Sequence, residues 1–307
     1  MAAFRLDVIT MSINWYPGHM HKARKEINQA LKTIDVLIEI VDSRIPFSSQ
    51  NPVIAHWRQT KPTIVILNKA DLADPMVTQQ WQTYLDAHDN IKSLSVSKDQ
   101  GKKIQQVVAL CQKLVPHKVD SFKAIHAMIL GIPNVGKSTI INALAGKTIA
   151  KVGNEPAVTK RQQKITLPEN IILHDTPGIL WPKISNKHSG YRLAITGAIK
   201  DTAIEYEDIA FYAAEYFKTA YPELLKARFN LSELPSLTVE LVELIGRQRG
   251  AMRAKKRVDL HKASEIIIHE FRHGKLGAIS LETPAMAEQE LALLEEEKLA
   301  EEKLTRH

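Results

Sequence analysis

Residues 131–138 read Gly131-Ile132-Pro133-Asn134-Val135-Gly136-Lys137-Ser138, a G-x-x-x-x-G-K-S spacing. Such spacing suits a cradle for phosphates. Glycines let the backbone curl until successive N–H groups converge on the anionic oxygens, a lysine reaches the outer phosphates, and a hydroxyl ligates Mg²⁺. Lys137 and Ser138 fill the last two roles, and Asn134, Val135, Gly136 and Thr139 complete the expected nucleotide contacts. A second tetrad, Asn68-Lys69-Ala70-Asp71, has the form N-K-x-D. Its aspartate can accept hydrogen bonds from guanine N1–H and N2–H₂ together. Adenine lacks that donor pair and would leave the carboxylate unpaired. Lys69 can lay its stem along a base, and Asn68 can tie neighbouring loops. A third, Asp175-Thr176-Pro177-Gly178, is D-x-x-G, which sets a carboxylate over a metal and a glycine amide near a terminal phosphate. Thr159 lies in a polar, irregular stretch, 147–164, that fits a switch loop capping Mg²⁺ and the terminal phosphate. Ser95 and Val96 are expected in the loop whose backbone N–H meets guanine O6.

Each motif needs an element to hold it. Ile125–Leu130 is an apolar run that predicts a buried strand before the phosphate loop. Lys137–Ala145 comes next, with Ile140, Ile141 and Leu144 at helical spacing and Gly146 as a stop. Asp35–Val41 and Thr63–Leu67 are β-branched and almost wholly apolar, as expected of strands covered on both faces. The second runs directly into Asn68. A helix over 76–88, a short strand through Lys92–Leu94 and a helix over 101–116 complete that half. Ile165–Leu167 and Ile171–His174 read as a hairpin ending on Asp175. The fold class is α/β, a P-loop GTPase-type parallel sheet. Its motifs are circularly permuted, because N-K-x-D precedes the phosphate loop, the switch loop and D-x-x-G.

The chain beyond Asp175 differs in kind. From about Gly190 to Leu276 only helical patterns occur: Leu193–Lys200, Tyr206–Lys218, Pro222–Phe229, Val239–Arg247 and Asp259–Phe271. Within that region, Gly246–Lys262 carries Arg247, Arg249, Arg253, Lys255, Lys256, Arg257 and Lys262 against one acid, Asp259. No aromatic interleaves that run, so phosphate contact rather than base stacking is expected of it. A solvated face is the plain alternative. Residues 286–307 hold seven acids against three bases and read as an acidic helix. The expected division is 1–11 as a dispensable or misassigned start, 12–184 as the nucleotide domain, 185–285 as a helical RNA-binding domain, and 286–307 as a tail.

The chain has 307 residues and a formal charge of +7, which leans toward a polyanionic partner. Its single cysteine, Cys111, excludes an internal disulfide and a cysteine zinc cluster. No apolar stretch approaches the ~18 residues a membrane span requires. With no signal-peptide core at the start, a cytoplasmic protein is expected. Nothing in the sequence indicates an oligomer.

Taken with Trp15-Tyr16-Pro17-Gly18-His19-Met20, Asp42-Ser43-Arg44-Ile45-Pro46 and Asp175–Pro182, the motif order resembles the YlqF-type circularly permuted GTPases, the ribosome biogenesis GTPase A family. The resemblance runs from Ile13 to about Pro284. It implies GTP hydrolysis, binding to the large ribosomal subunit during late assembly, and rRNA contacts through the C-terminal helices. Many GTPases orient the attacking water with a glutamine after D-x-x-G, whereas this chain has Ile179. The resemblance assigns that task to His19. It also implies Mg²⁺ at Ser138, Thr159 and Asp175, and K⁺ at Asn134. One departure is Pro156-Ala157-Val158-Thr159, where the family usually has Pro-Gly-x-Thr; alanine restricts positive φ. Two rival readings stay open at this point. One is a P-loop ATPase or kinase, which Asp71 opposes; the other is a nucleotide-gated RNA-binding factor in which hydrolysis is incidental, which Ile179 favours.

Overall fold

The computed structural model describes residues 29–97, 99–150, 163–176, 184–199 and 201–305. Strands β1 (Val36–Asp42) and β2 (Thr63–Asn68) are buried along their whole length. Strands of that kind belong in the middle of a parallel sheet covered on both faces. With β3 (Ile91–Ser95), β4 (Ile125–Gly131), β5 (Gln163–Leu167) and β6 (Ile171–Asp175) they form one sheet in the order β3-β2-β1-β4-β6-β5. All neighbours are parallel except the β5–β6 hairpin. Strand β4, which leads into the phosphate loop, has β1–β3 on one flank and the later hairpin on the other. The permuted order read from the sequence is thus a permuted path through one sheet. In register, Asp42 lies beside Asn68 and Ile129 beside Asp175. The carboxyl ends of β1, β2, β4 and β6 therefore meet at one edge, where open α/β sheets bind ligands.

Helix α1 (Pro75–Asp86) starts where Asp74 accepts from Met76 N at 2.8 Å and Val77 N at 3.4 Å, with proline at the first helical position. The single helix expected over 101–116 is divided into Gly101–Ile104, Gln106–Leu114 and Pro116–Asp120. Pro116 lacks the N–H needed to continue a helix and instead opens the next one. Helix α2 (Lys137–Ala145) has the expected bounds and closes on Gly146 at φ +65°. The helix expected from Leu193 runs earlier, as α3 (Lys187–Ile195). Asn186 sets its start by accepting from Ser189 N at 3.0 Å, and Gly197 at φ +80° lies just past its end. Ahead of β1, the described residues begin in a helix that ends at Leu31.

Helices α4 (Tyr206–Ala220), α5 (Thr238–Gln248) and α6 (Leu260–Arg272) lie close to the expected bounds, with Pro222–Phe229 between the first two. Their buried faces (Ile209, Phe217, Leu241, Ile267) join the same apolar core as the sheet residue Ile129 and the α2 residue Ile140. Helix α7 (Pro284–Thr305) is the acidic segment, and it runs through the boundary expected at 285/286. Ala287 on it packs with Val41, Leu67 and Trp81, so its first turns belong to the body. Glu290 pairs with Arg192 at 2.6 Å, and Arg192 also donates to Glu282 at 3.1 Å. Glu282 in turn accepts from Ser48 N at 2.9 Å and from the Ser48 hydroxyl. Burial pushes the Glu282 carboxyl up, and Arg192 opposes that. Removing one partner from a buried pair of this kind typically costs about 3–5 kcal/mol, because the other charge is left unpaired.

A histidine pair in the sheet makes stability depend on pH. His126 on β4 and His174 on β6 have Nδ1 and Nε2 at 3.0 Å. Burial lowers the His174 pKa from its ordinary 6.5, with His126 and then Lys164 on β5 acting in the same direction. The unfolded chain therefore binds the proton more readily than the folded one. Stability is fully present above about pH 6.5 and falls on acidification below it. His174→Gln is expected to flatten the decline in Tm between about pH 6.5 and 5, as followed by circular dichroism. A decline as steep as the parent's would place the acid sensitivity elsewhere.

Candidate nucleotide-binding site

The site is assembled at the strand ends. Gly131 ends β4 with no room for a side chain, since an added Cβ would lie 2.9 Å from Val135 Cγ2 and 3.1 Å from the Ile40 carbonyl oxygen. Asn134 takes φ +62° and Gly136 φ +92°, so the loop curls as its spacing requires. Gly136 then caps α2, which presents Lys137, Ser138 and Thr139 in its first turn. Lys137 is buried, and its ammonium is ion-paired with the Asp175 carboxylate at the end of β6. Burial lowers the Lys137 pKa, and Asp175 offsets part of that. Thr176 donates its hydroxyl to the Ile129 carbonyl at 2.8 Å and fixes the start of the D-x-x-G segment against β4.

The second tetrad reaches the first across the sheet. Asn68 Nδ2 donates to the Val135 carbonyl at 2.6 Å, inside the phosphate loop. Lys69 adopts φ +60° and donates to Asp42 at 2.9 Å, so its tip is anchored while its stem crosses the strand ends. Asp71 lies exposed in the turn Ala70–Leu72. The adjoining loop departs from expectation in detail. Val96 N is committed to the Leu67 carbonyl at 2.8 Å, and Val96 O accepts from Ala70 N at 3.0 Å. The Val96 amide is therefore spent on the sheet and cannot also serve a base. The next amide, Ser97 N, meets only the Gln100 side chain at 3.3 Å among the described residues. Register decided this; the weakly matching sequence Ser95–Lys98 could not. Asn134 donates to the Gly197 carbonyl at 2.7 Å, tying the phosphate loop to the end of α3. His19, Thr159 and Gly178 lie outside the described residues.

The donor set suits Mg²⁺, a hard cation that takes oxygen ligands and keeps several waters. Ser138 offers a hydroxyl and Asp175 a carboxylate beside the phosphate loop. Among the described residues there is no cluster of three or more His, Cys, Asp or Glu that would hold a metal by itself.

Arg247 lies in the last turn of α5 and Lys262 in the first turn of α6, and the basic stretch between them is loop. It joins α5 to α6 through the turn Ala254–Lys256 and the bridge Met252–Val258. Arg247, Arg249, Arg253, Lys256, Arg257 and Lys262 are exposed. The fold brings in acids that a count along 246–262 misses. Arg247 pairs with Glu243 at 2.9 Å and Arg249 with Glu270 at 3.1 Å, while Arg253 pairs with Asp259 at 2.9 Å. Helical and turn periodicity bring these together from outside or across the run. Among the described residues no helix is long and apolar enough to cross a membrane.

A parallel sheet with a phosphate loop at its centre, N-K-x-D on one flank and D-x-x-G on the other defines a P-loop GTPase fold with circularly permuted motifs. Known proteins agree. A family model described as 50S ribosome-binding GTPase matches residues 126–218, from β4 into α4. Ribosome biogenesis GTPase A of Priestia megaterium is 47% identical over 289 residues, covering 92% of this chain and 100% of that protein. Its Bacillus cereus counterpart is 46% identical over 281 residues, covering 89% and 95%. The crystal structure of GNP-bound YlqF from Thermotoga maritima superposes with a TM-score of 0.64 at 27% identity, covering 86% of this chain and 98% of that one. The chain belongs to the ribosome biogenesis GTPase A family.

Proposed function

We propose that this chain hydrolyses GTP as an assembly factor of the large ribosomal subunit, with nucleotide state controlling its residence on rRNA. The observation that carries the nucleotide part is the 2.6 Å hydrogen bond from Asn68 to Val135. It joins the guanine-reading tetrad to the phosphate loop although the two stand in reversed order along the chain. Lys137 with the loop amides binds the phosphates, Asp71 reads the base, and the Ser97 amide rather than that of Val96 serves guanine O6. Ser138, Asp175 and Thr159 hold Mg²⁺, which supplies charge neutralisation at the phosphates. Phosphate oxygens and the ion draw on Lys137 and Asp175, the two groups that are paired with each other in this structure. The Asn134 amide oxygen is the atom offered to K⁺.

By family resemblance His19 positions the attacking water, a task that calls for geometry more than base strength. The exposed basic residues of 247–262, on the α5–α6 connection and the helix turns beside it, meet the rRNA backbone. Because Arg247, Arg249 and Arg253 are already paired with acids, Lys256, Arg257 and Lys262 carry the larger share of phosphate contact.

The test is co-sedimentation with separated ribosomal subunits in GDP and in a non-hydrolysable GTP analogue, then single-turnover hydrolysis with and without large subunits. Binding should be selective for the large subunit, should depend on nucleotide, and should accelerate hydrolysis. His19→Ala should lose that acceleration at near-normal GTP affinity, the pattern of an interaction made only in the transition state. Charge reversal at Lys256 and Arg257 should weaken subunit binding and flatten its salt dependence. Equal binding to both subunits in both nucleotides would overturn the ribosomal reading. A nucleotide-dependent interaction without acceleration would favour the factor in which hydrolysis is incidental, a reading that Ile179 supports.

A further inference from the structure

Buried Asp42 and Arg44 and half-buried Lys69 form a constellation that neither phosphate binding nor water positioning uses. Asp42 ends β1 directly beside Asn68 in the register, so its carboxylate faces the next residue along, Lys69. That carboxylate accepts four hydrogen bonds. They come from Arg44 N at 3.1 Å, Arg44 Nε at 2.9 Å, Arg44 Nη2 at 2.7 Å and Lys69 Nζ at 2.9 Å. Its acceptor capacity is thereby filled. Burial alone would raise the Asp42 carboxyl, but Arg44 and Lys69 outweigh it and hold the group ionised, well below the usual carboxylate range.

The arginine end of the constellation packs against the helical region. Arg44 is 1% exposed, and its guanidinium carbon lies 5.0 Å from the centre of the Phe271 ring on α6. Its carbonyl accepts from Leu281 N at 2.8 Å. The segment 279–281 also grips the loop after N-K-x-D, through Ile279 N to the Leu72 carbonyl at 3.0 Å and Asp74 N to Ser280 Oγ at 3.2 Å. A continuous set of contacts thus runs from α6 and the segment before α7, through Arg44 and Asp42, to the tip of Lys69.

We propose that Asp42 and Arg44 are positioning residues for the base-reading Lys69, and that the helical region acts on guanine affinity through them. This deepens the reading of Asn68–Asp71 as the guanine site and rests on it. Lysine carries a flexible four-carbon stem, and a free one must be ordered when nucleotide binds. Here the Asp42 carboxylate orders Lys69 before the base arrives. Tilting α6 or the 279–281 segment, as docking of the neighbouring basic loop would do, shifts Arg44 and loosens that hold. The base end of the site then weakens while the phosphate end keeps its own contacts.

The experiment is a double-mutant cycle on GDP affinity, read by titration of fluorescent N-methylanthraniloyl-GDP into the full chain. Asp42→Asn and Lys69→Met should each weaken binding about tenfold, and the double variant should be no weaker than Lys69→Met alone. Phe271→Leu keeps the apolar volume but removes the ring face. It should weaken GDP about threefold in the parent and not at all in the Lys69→Met background. Arg44→Lys keeps the charge without the two-pronged donor, and it runs the same cycle if Asp42→Asn does not fold. Additive losses in these cycles, or unchanged affinity in Asp42→Asn, overturn the proposal. The base reading has its own test in Asp71→Asn with xanthosine diphosphate. A successful base switch with additive losses overturns the positioning role alone, and a failed switch overturns both.

Discussion

Asp71→Asn is expected to weaken GDP binding about a hundredfold and to reverse the preference, so that xanthosine diphosphate binds better than GDP. The position supports this. Asp71 is exposed in the turn directly after β2, and that turn is pinned by Ala70 N to the Val96 carbonyl at 3.0 Å. A carboxylate there accepts from guanine N1–H and N2–H₂ together. Hydrogen bonds to charged groups are worth about 1.5–3 kcal/mol each, and about 2.7 kcal/mol of lost binding corresponds to a hundredfold. Asparagine instead presents an amide N–H where guanine also has a donor, while xanthine has a carbonyl at that place and accepts it. Titration of parent and variant with both diphosphates reads the outcome. A variant that keeps parental GDP affinity would remove Asp71 from the site, and with it the case against adenine nucleotides.

The sheet was legible because each strand announces itself. Ile64–Leu67 is apolar throughout and Val36–Val41 is apolar but for Glu39, without the alternation of a half-exposed strand, as expected of strands buried on both faces, and each runs into a polar motif at its carboxyl end. The phosphate loop and N-K-x-D were readable for a different reason: their chemistry is local, set by spacing within a few residues. Contacts between distant segments were not readable. Nothing in the sequence near Asp42 says that its carboxylate will hold Lys69, because that depends on strand register. By chain order alone the helical region joins the nucleotide domain only where it follows Asp175. The return of 279–282 to Arg44, Leu72 and Ser48 adds a second link, 234 residues from Ser48 in the case of Glu282. The start of α3 was missed because Asn186 caps a turn rich in Lys, His, Ser and Gly, where no apolar period marks a helix. The basic run looked less compensated than it is, since Glu243 and Glu270 reach it only through helical periodicity and packing.

Gly136→Ala is expected to weaken GDP and GTP binding about a hundredfold, although it adds a single methyl group and touches no charge. Gly136 has φ +92°, a conformation that costs an alanine about 1–3 kcal/mol. Its added Cβ would lie 2.2 Å from Asn68 Nδ2. Asn68 cannot swing clear cheaply. It is 5% exposed and committed to the Val135 carbonyl at 2.6 Å, so moving it breaks the bond that joins the base reader to the phosphate loop. That bond is worth about 0.5–1.5 kcal/mol, and with the strain the total reaches about 3 kcal/mol, or roughly a hundredfold. Asn68→Ala alone should lose only the bond, about tenfold or less. Combined with Gly136→Ala it removes the obstacle, so the double variant should bind no worse than Gly136→Ala. Isothermal titration with GDP on the three variants, with Tm measured in parallel, separates this from general unfolding. Losses that simply add would mean that the strain at φ +92° acts alone and that Asn68 does not couple the two halves of the site.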